Sequence, residues 1–249
     1  EIEKAILPSP HFSFLRNRII RTTMFVTAGG KWINEELEFL EKSIPEERLT
    51  EILEEDYIGN PILINSEYLT SHNSIHQLYH LMKFQEKTKI NLDRLESIIE
   101  WGGGYGNMAK ILRRMLPGVT YIIIDLPAMS CLQWVYLATI FGEGSVNILP
   151  ILQNKIEKGK INLLPISFLK DYELRTDLFI ATWSLSESSR YAQDYVDSQN
   201  FFGANHFLFS YQKSGREFPN AARLGELANR RGAAIYPIEF LPGSYYAFK

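Results

Sequence analysis

Residues 98–109 read Ile98-Ile99-Glu100-Trp101-Gly102-Gly103-Gly104-Tyr105-Gly106-Asn107-Met108-Ala109. A short apolar run, a cluster of glycines and then a helical period predict a strand, a tight turn and a helix. Glycine lets the backbone turn sharply and approach a ligand closely, because no Cβ stands in the way. The helix that follows offers free N–H groups to whatever sits in the turn. The stretch therefore predicts a site for a nucleotide-type ligand at the edge of a sheet.

Working outward, Met108, Ile111, Leu112, Met115 and Leu116 share one face of a helix over 107–116, closed off by Pro117-Gly118. Residues 119–124 are β-branched and aromatic, the composition of a buried strand. Pro127 opens a second helix that runs to about Phe141, where Gly142 ends it. Pro150 and Gly159 interrupt residues 143–160, so the next strand is placed at 161–164. Further strands are expected over 176–182, 206–211, 234–240 and 244–248. Strands alternating with helices predict an α/β fold with a mostly parallel, seven-stranded sheet flanked by helices. Residues 1–92 differ: they show helical periods, few convincing strands, and breaks at Gly29-Gly30 and Gly59-Asn60-Pro61. The expected organisation is a helical N-terminal cap over 1–92 and a sheet domain over 93–249.

The chain has 249 residues, of which 45% are hydrophobic and 22% charged, ordinary values for a globular protein. A net charge of −3 supplies no basic field for nucleic acid. No Asn/Asp-Pro-Pro-Tyr/Phe motif for base amines is present either. No apolar run reaches membrane-spanning length and the first twenty residues lack a signal-peptide core, so a soluble, cytoplasmic protein is expected. The single cysteine, Cys131, lies in an apolar helical stretch and is expected as a buried structural thiol. Residues 34–56 carry ten acidic side chains against Lys42 and Arg48, which predicts a solvated helix face.

The turn discriminates between cofactors. A dinucleotide site asks for G-x-G-x-x-G. Counted from Gly102 the third glycine position falls on Asn107, and counted from Gly103 the pattern meets Tyr105 and Met108. What stands here is E-x-G-x-G-x-G, with Glu100 two places before the first glycine. A carboxylate there sits poorly beside a pyrophosphate and suits a cation. The pattern resembles motif I of the class I S-adenosylmethionine-dependent methyltransferases, whose ligand carries an ammonium and a sulfonium. Asp125 ends the next strand, nineteen residues after Gly106, where an acid can take both ribose hydroxyls or cap the helix beginning at Pro127.

Several segments together resemble the bacterial sugar O-methyltransferase family. They are Glu55-Asp56-Tyr57-Ile58-Gly59-Asn60-Pro61, Tyr68-Leu69-Thr70-Ser71-His72-Asn73-Ser74, residues 99–109, residues 121–127 with Gln133, and Thr182-Trp183-Ser184-Leu185-Ser186-Glu187. The resemblance implies a Rossmann-like class I methyltransferase fold. It also implies S-adenosylmethionine bound by Glu100, Gly102, Gly104, Gly106 and Asp125, with Gly103 and Leu126 in the same two loops. The acceptor it implies is a hydroxyl of a sugar nucleotide, glycan or glycosylated metabolite, in the setting of polysaccharide biosynthesis. A phenol or amine of a small natural product is the alternative acceptor, and a catalytically silent cofactor-binding module the alternative of another class. The remaining partner expectations are no nucleic acid, no membrane span, and a homo-oligomer left open.

Methyl transfer to a hydroxyl is an in-line displacement that needs alignment and a base for the hydroxyl proton. Glu187 and His76 are the candidate bases. Glu187 follows a strand whose carboxyl end faces the donor, with Trp183 and Ser184 beside it as candidate acceptor contacts; Ser184 or Ser186 could equally cap a helix. His72, His76 and His80 recur at i, i+4 and i+8 on one helix face. His72 and Asn73 are candidate acceptor contacts from that helix, and Tyr211, at the end of a later strand, is another. No metal is expected, because H-E-x-x-H is absent and His80 lies too far along the helix. His206 is expected as a structural histidine, and His11 offers no context.

Overall fold

The computed structural model describes residues 13–24, 32–65, 67–152 and 155–249. His11 and the Gly29-Gly30 break lie outside them.

The N-terminal region supplies helices α1 (Arg18–Thr23), α2 (Ile33–Ser43) and α3 (Glu46–Leu53), a small antiparallel pair β1 (Leu63–Asn65) and β2 (Thr70–Ser71), and the long helix α4 (His72–Thr88). Ser71 caps α4, accepting from the Ser74 amide at 3.3 Å. Then follow β3 (Ser97–Trp101), α5 (Asn107–Met115), β4 (Thr120–Asp125), α6 (Pro127–Phe141), β5 (Val146–Ile148), β6 (Ile161–Pro165), β7 (Leu178–Thr182), α7 (Ser184–Glu187), α8 (Arg190–Ser198), β8 (His206–Gln212), α9 (Arg223–Arg230), β9 (Ala234–Pro237) and β10 (Ser244–Phe248). Pro127 stands in the first turn of α6 and Gly142, at φ +83°, ends it.

The large sheet has strand order β5-β6-β4-β3-β7-β8-β10-β9. Strands β5 to β8 run parallel, while β10 pairs antiparallel with both β8 and β9. The fold is a Rossmann-like α/β architecture of the methyltransferase type, with a helical N-terminal region. It has eight strands rather than seven. The extra one, β5, is three residues long on the sheet's edge, within the stretch that Pro150 interrupts, and is too short to show a period.

Strand alternation divides the core into two layers. Ile98, Tyr121, Ile123, Leu163, Ile180, Leu208 and Phe248 face the layer that holds α4 and α5. Ile99, Ile122, Ile124, Leu164, Phe179, Ala181, Phe207 and Phe209 face the other. The first layer also takes in Leu40, Leu49, Ile52, Ile75 and Leu78, so one apolar core runs across residue 92. A buried ion pair crosses the same boundary: Lys110 Nζ donates to Glu55 Oε2 at 2.7 Å, while Ser71 and Ser74 each donate to Oε1 at 2.5 Å. Burial pushes the Glu55 carboxyl up, but the Lys110 charge and these three donors outweigh it and hold its pKa below the usual range.

Two expectations need correction. Cys131 is exposed, not buried. Helix α6 is apolar nearly all round, so its period does not reveal the buried face, which carries Ser130, Gln133, Tyr136, Leu137 and Ala138. The acidic run over 34–56 is solvated in the main but hides two buried acids, Glu36 and Glu55. Among the described residues no helix is long and apolar enough to cross a membrane.

Candidate active site

The glycine turn leaves β3 at the point where the chain's strand order reverses: β4, β6 and β5 lie on one side of β3, β7 and β8 on the other. In open α/β sheets this crevice at the carboxyl ends is the place for a ligand. A pocket opens there, between the strand ends and α4. Its walls are Glu100, Gly102, Gly103, Gly104 and Tyr105 from the turn; Thr182, Trp183, Ser184 and Glu187 from the end of β7; Asn73, His76, Gln77 and His80 from α4; and Met24, Gln212, Leu241 and Ser244.

The turn is built around close approaches. Gly102 has φ +72°, and a Cβ on it would come within 2.5 Å of Ser184 Cβ. Ser184 Oγ in turn donates to the Trp101 carbonyl, stitching the ends of β3 and β7 together. A Cβ on Gly103 would lie 2.7 Å from Ile123 Cγ2 and 2.9 Å from Glu100 Oε2, so the turn folds directly over the Glu100 carboxyl. Gly104 offers its carbonyl to Gln133 Nε2 at 2.9 Å, and Gly106 is the N-cap of α5.

Glu100 is 2% exposed and, among the described residues, accepts one hydrogen bond, from Tyr121 Oη at 2.9 Å. Burial pushes its pKa up to about 8; the Tyr121 donor opposes that, and the nearby Asp125 charge adds to it. Asp125, at the end of β4, accepts from the Leu126 amide at 2.8 Å and from Gln133 Nε2 at 2.7 Å. Burial raises its pKa to about 6 against those two donors and the Gly103 and Gly104 amides. Leu126 is the N-cap of α6 and is largely exposed. Among the described residues neither acid is paired with a basic side chain. Asn107, where a dinucleotide turn would have its third glycine, is fully buried, its Oδ1 lying 3.3 Å from Ser74 Oγ beside the Glu55–Lys110 pair.

Helix α4 brings a row of buried imidazoles to the opposite wall. The rings of His72 and His76 are 5.7 Å apart, and those of His76 and His80 4.1 Å. His76 Nδ1 lies 2.6 Å from Oε1 of Glu36 on α2. His80 Nδ1 lies 2.6 Å from Tyr246 Oη, and its ring meets Trp183 edge-on at 6.4 Å. Burial, with His76 close by, lowers the pKa of His72 to about 4 and that of His80 well below the usual value. His72 is buried behind His76 and is not part of the pocket wall. Asn73 is part of it, donating to Tyr105 Oη at 2.9 Å.

Trp183 follows β7 with φ +69°, a strained conformation for a bulky residue, held by its amide donating to the Ser210 carbonyl at 2.9 Å. Glu187 stands exposed at the rim, its carboxyl shielded enough for desolvation to raise its pKa. Tyr211 does not reach the pocket. It points to the other layer, stacking on Tyr245 with ring centroids 5.6 Å apart, and Gln212, one residue on, lines the pocket instead. Period-two alternation was the available signal: Leu208, Ser210 and Gln212 share a face, and Leu208 packs in the pocket-side layer. Glu36 also had a legible signal, since it sits three residues after Ile33 and four before Leu40, on the buried side of α2.

No family model matches the chain, and no curated protein matches it. Solved structures share its fold. A protein of Nostoc punctiforme assigned as an O-methyltransferase is 10% identical over 96% of this chain and 72% of its own, with a TM-score of 0.50. The mitomycin 7-O-methyltransferase MmcR is 11% identical over 99% of this chain and 74% of its own (TM-score 0.48). PigF, solved with S-adenosylhomocysteine, is 15% identical over 68% of this chain, with a TM-score of 0.44, and the chain spans 60% of its length.

Proposed function

We propose that this chain is an S-adenosylmethionine-dependent O-methyltransferase and that its acceptor is a sugar hydroxyl. One observation carries the cofactor half: Glu100 and Asp125 are desolvated acids at adjacent strand ends, folded under a glycine turn, with no basic partner among the described residues. Two such acids call for a ligand that brings positive charge and hydroxyl donors, which an aminoacyl sulfonium nucleoside does and a pyrophosphate does not. Glu100 would face the cationic part, Asp125 the ribose, and Gly102, Gly103, Gly104, Gly106 and Leu126 would shape the backbone around them. When bound, S-adenosylmethionine supplies the electrophilic methyl group.

The chain's own residues then have to hold the acceptor and take its proton. His76 is braced by Glu36 through Nδ1, which leaves Nε2 to accept a hydroxyl proton while the carboxylate stabilises the resulting imidazolium. Glu187, at the rim, suits vicinal hydroxyls or serves as the second candidate base. Trp183 offers an aromatic wall for a sugar's apolar face. Asn73, Gln77, Gln212 and Ser244 add polar groups around it, which favours an acceptor with several hydroxyls.

The apolar side formed by Met24, Leu241 and Trp183 favours a second reading, a phenolic natural product. Offering radiolabelled S-adenosylmethionine with sugar nucleotides, deoxysugar glycosides and phenols separates the two. Label on sugars supports the first reading; label confined to phenols or amines replaces it with the second. Binding of NAD without S-adenosylhomocysteine in calorimetry would overturn both.

A further inference from the structure

The cluster that runs inward from His76 on the pocket wall gathers more ligating atoms than a general base needs. One donor atom each from Glu36, His72 and His76 lies within 4.8 Å of the other two, and all three residues are buried. The second oxygen of Glu36, Oε2, is buried without a hydrogen-bond partner among the described residues. A carboxylate oxygen left bare in a protein interior is costly, and an ion is one way to satisfy it.

We infer that Glu36, His72 and His76 form a binding site for a divalent first-row transition metal of the Zn²⁺ class. Two imidazoles and a carboxylate are a ligand set suited to that class, and His72 and His76 at i and i+4 are fixed by one helix while Glu36 comes from another. A Zn²⁺ ion about 2.0–2.1 Å from each donor needs the donors roughly 3.3 Å apart. The 2.6 Å between His76 Nδ1 and Glu36 Oε1 must therefore open by less than an ångström, and the other pairs, all within 4.8 Å, must close by at most about 1.5 Å. The ion takes the place of the proton shared between those two atoms, which moves by way of solvent to His76 Nε2. An imidazole metallated at Nδ1 and protonated at Nε2 can accept no further proton. A loaded site would then slow methyl transfer, a consequence that rests on the function proposed above, whereas metal binding does not.

The test is uptake of Zn²⁺ itself. Full-length protein stripped with a chelator is titrated with ZnCl₂ against a chromogenic competitor, with Co²⁺ absorption as a second readout. One equivalent is expected in the wild type and in the controls Cys131→Ser and His206→Ala. Glu36→Gln and His72→Asn should each weaken it at least tenfold, with circular dichroism verifying the fold. No stoichiometric uptake by the wild type, or equal uptake by both variants, would overturn the site. Should His72→Asn fail to fold, Glu36→Gln alone decides. Because uptake needs no methyl donor, a negative result here is distinct from failure to bind S-adenosylhomocysteine.

Discussion

Tyr121 Oη donates to Glu100 Oε2 across 2.9 Å between two neighbouring parallel strands, and among the described residues it is the one donor to this buried carboxyl. The free protein therefore holds Glu100 largely protonated at neutral pH. A cationic ligand would favour the ionised form, so binding and deprotonation are linked.

This linkage predicts that affinity for S-adenosylmethionine rises between pH 6 and pH 8, as the protonated fraction of Glu100 falls. Below about pH 8 each binding event should release close to one proton. Calorimetry in buffers of different ionisation enthalpy measures that number directly; a value of zero at pH 7 would remove Glu100 from the binding reaction.

Glu100→Gln separates stability from binding. The folded-state pKa of about 8 lies above the unfolded value, so the native state binds more protons and stability falls as pH rises through this range. The glutamine variant should lack that decline and melt on the order of a few degrees higher at pH 8. It should also bind S-adenosylmethionine at least about tenfold more weakly. Thermal melts at pH 5 and pH 8 test the first part, and calorimetry the second.

At the other wall, His76→Asn should lower kcat by about 10²-fold or more with the donor's Kd nearly unchanged, the signature of a lost base. Glu36→Gln should give a smaller loss in the same direction. If Glu187→Gln causes the larger fall while His76→Asn leaves turnover near normal, the base is Glu187.

Gly102→Ala puts a methyl group within 2.5 Å of Ser184 Cβ at a φ of +72°. Backbone strain and overlap together should cost about 1–3 kcal/mol and distort the turn. Denaturant unfolding would measure the loss, and Ser184→Gly in the same chain should recover the steric part but not the strain.

Much of the strand-end side of the pocket is legible in the residues themselves, because a strand, a glycine turn and a helix are written in consecutive letters. Glu100, the glycines and Asp125 all lie within one β-α-β unit, and local patterns reach that far. The opposite wall is harder to read, since its groups come from α4, the β7 end, β8 and β10, and only the folded sheet brings them together. Glu36 and Glu55 are two of ten acids in a run that reads as solvated, and what distinguishes them is a partner forty or more residues away. Tyr211 and Gln212 are adjacent letters on opposite faces, and nothing but strand register chooses between them. Cys131 sits in a helix whose apolar residues surround it, so the exposed side is set by where α6 meets the sheet.

The Glu55–Lys110 pair has a consequence for how this chain can be divided. A cut at residue 92 would separate the carboxylate from the ammonium and leave Lys110, which has no exposed surface, as a lone charge in an apolar interior. Losing one partner of such a pair costs about 3–5 kcal/mol, a large share of what a domain this size has to spare. The helical N-terminal region is thus no detachable lid laid over a finished sheet domain. The sheet half would be an orphan without it, and any attempt to graft this pocket onto another scaffold must carry residues 32–92 along.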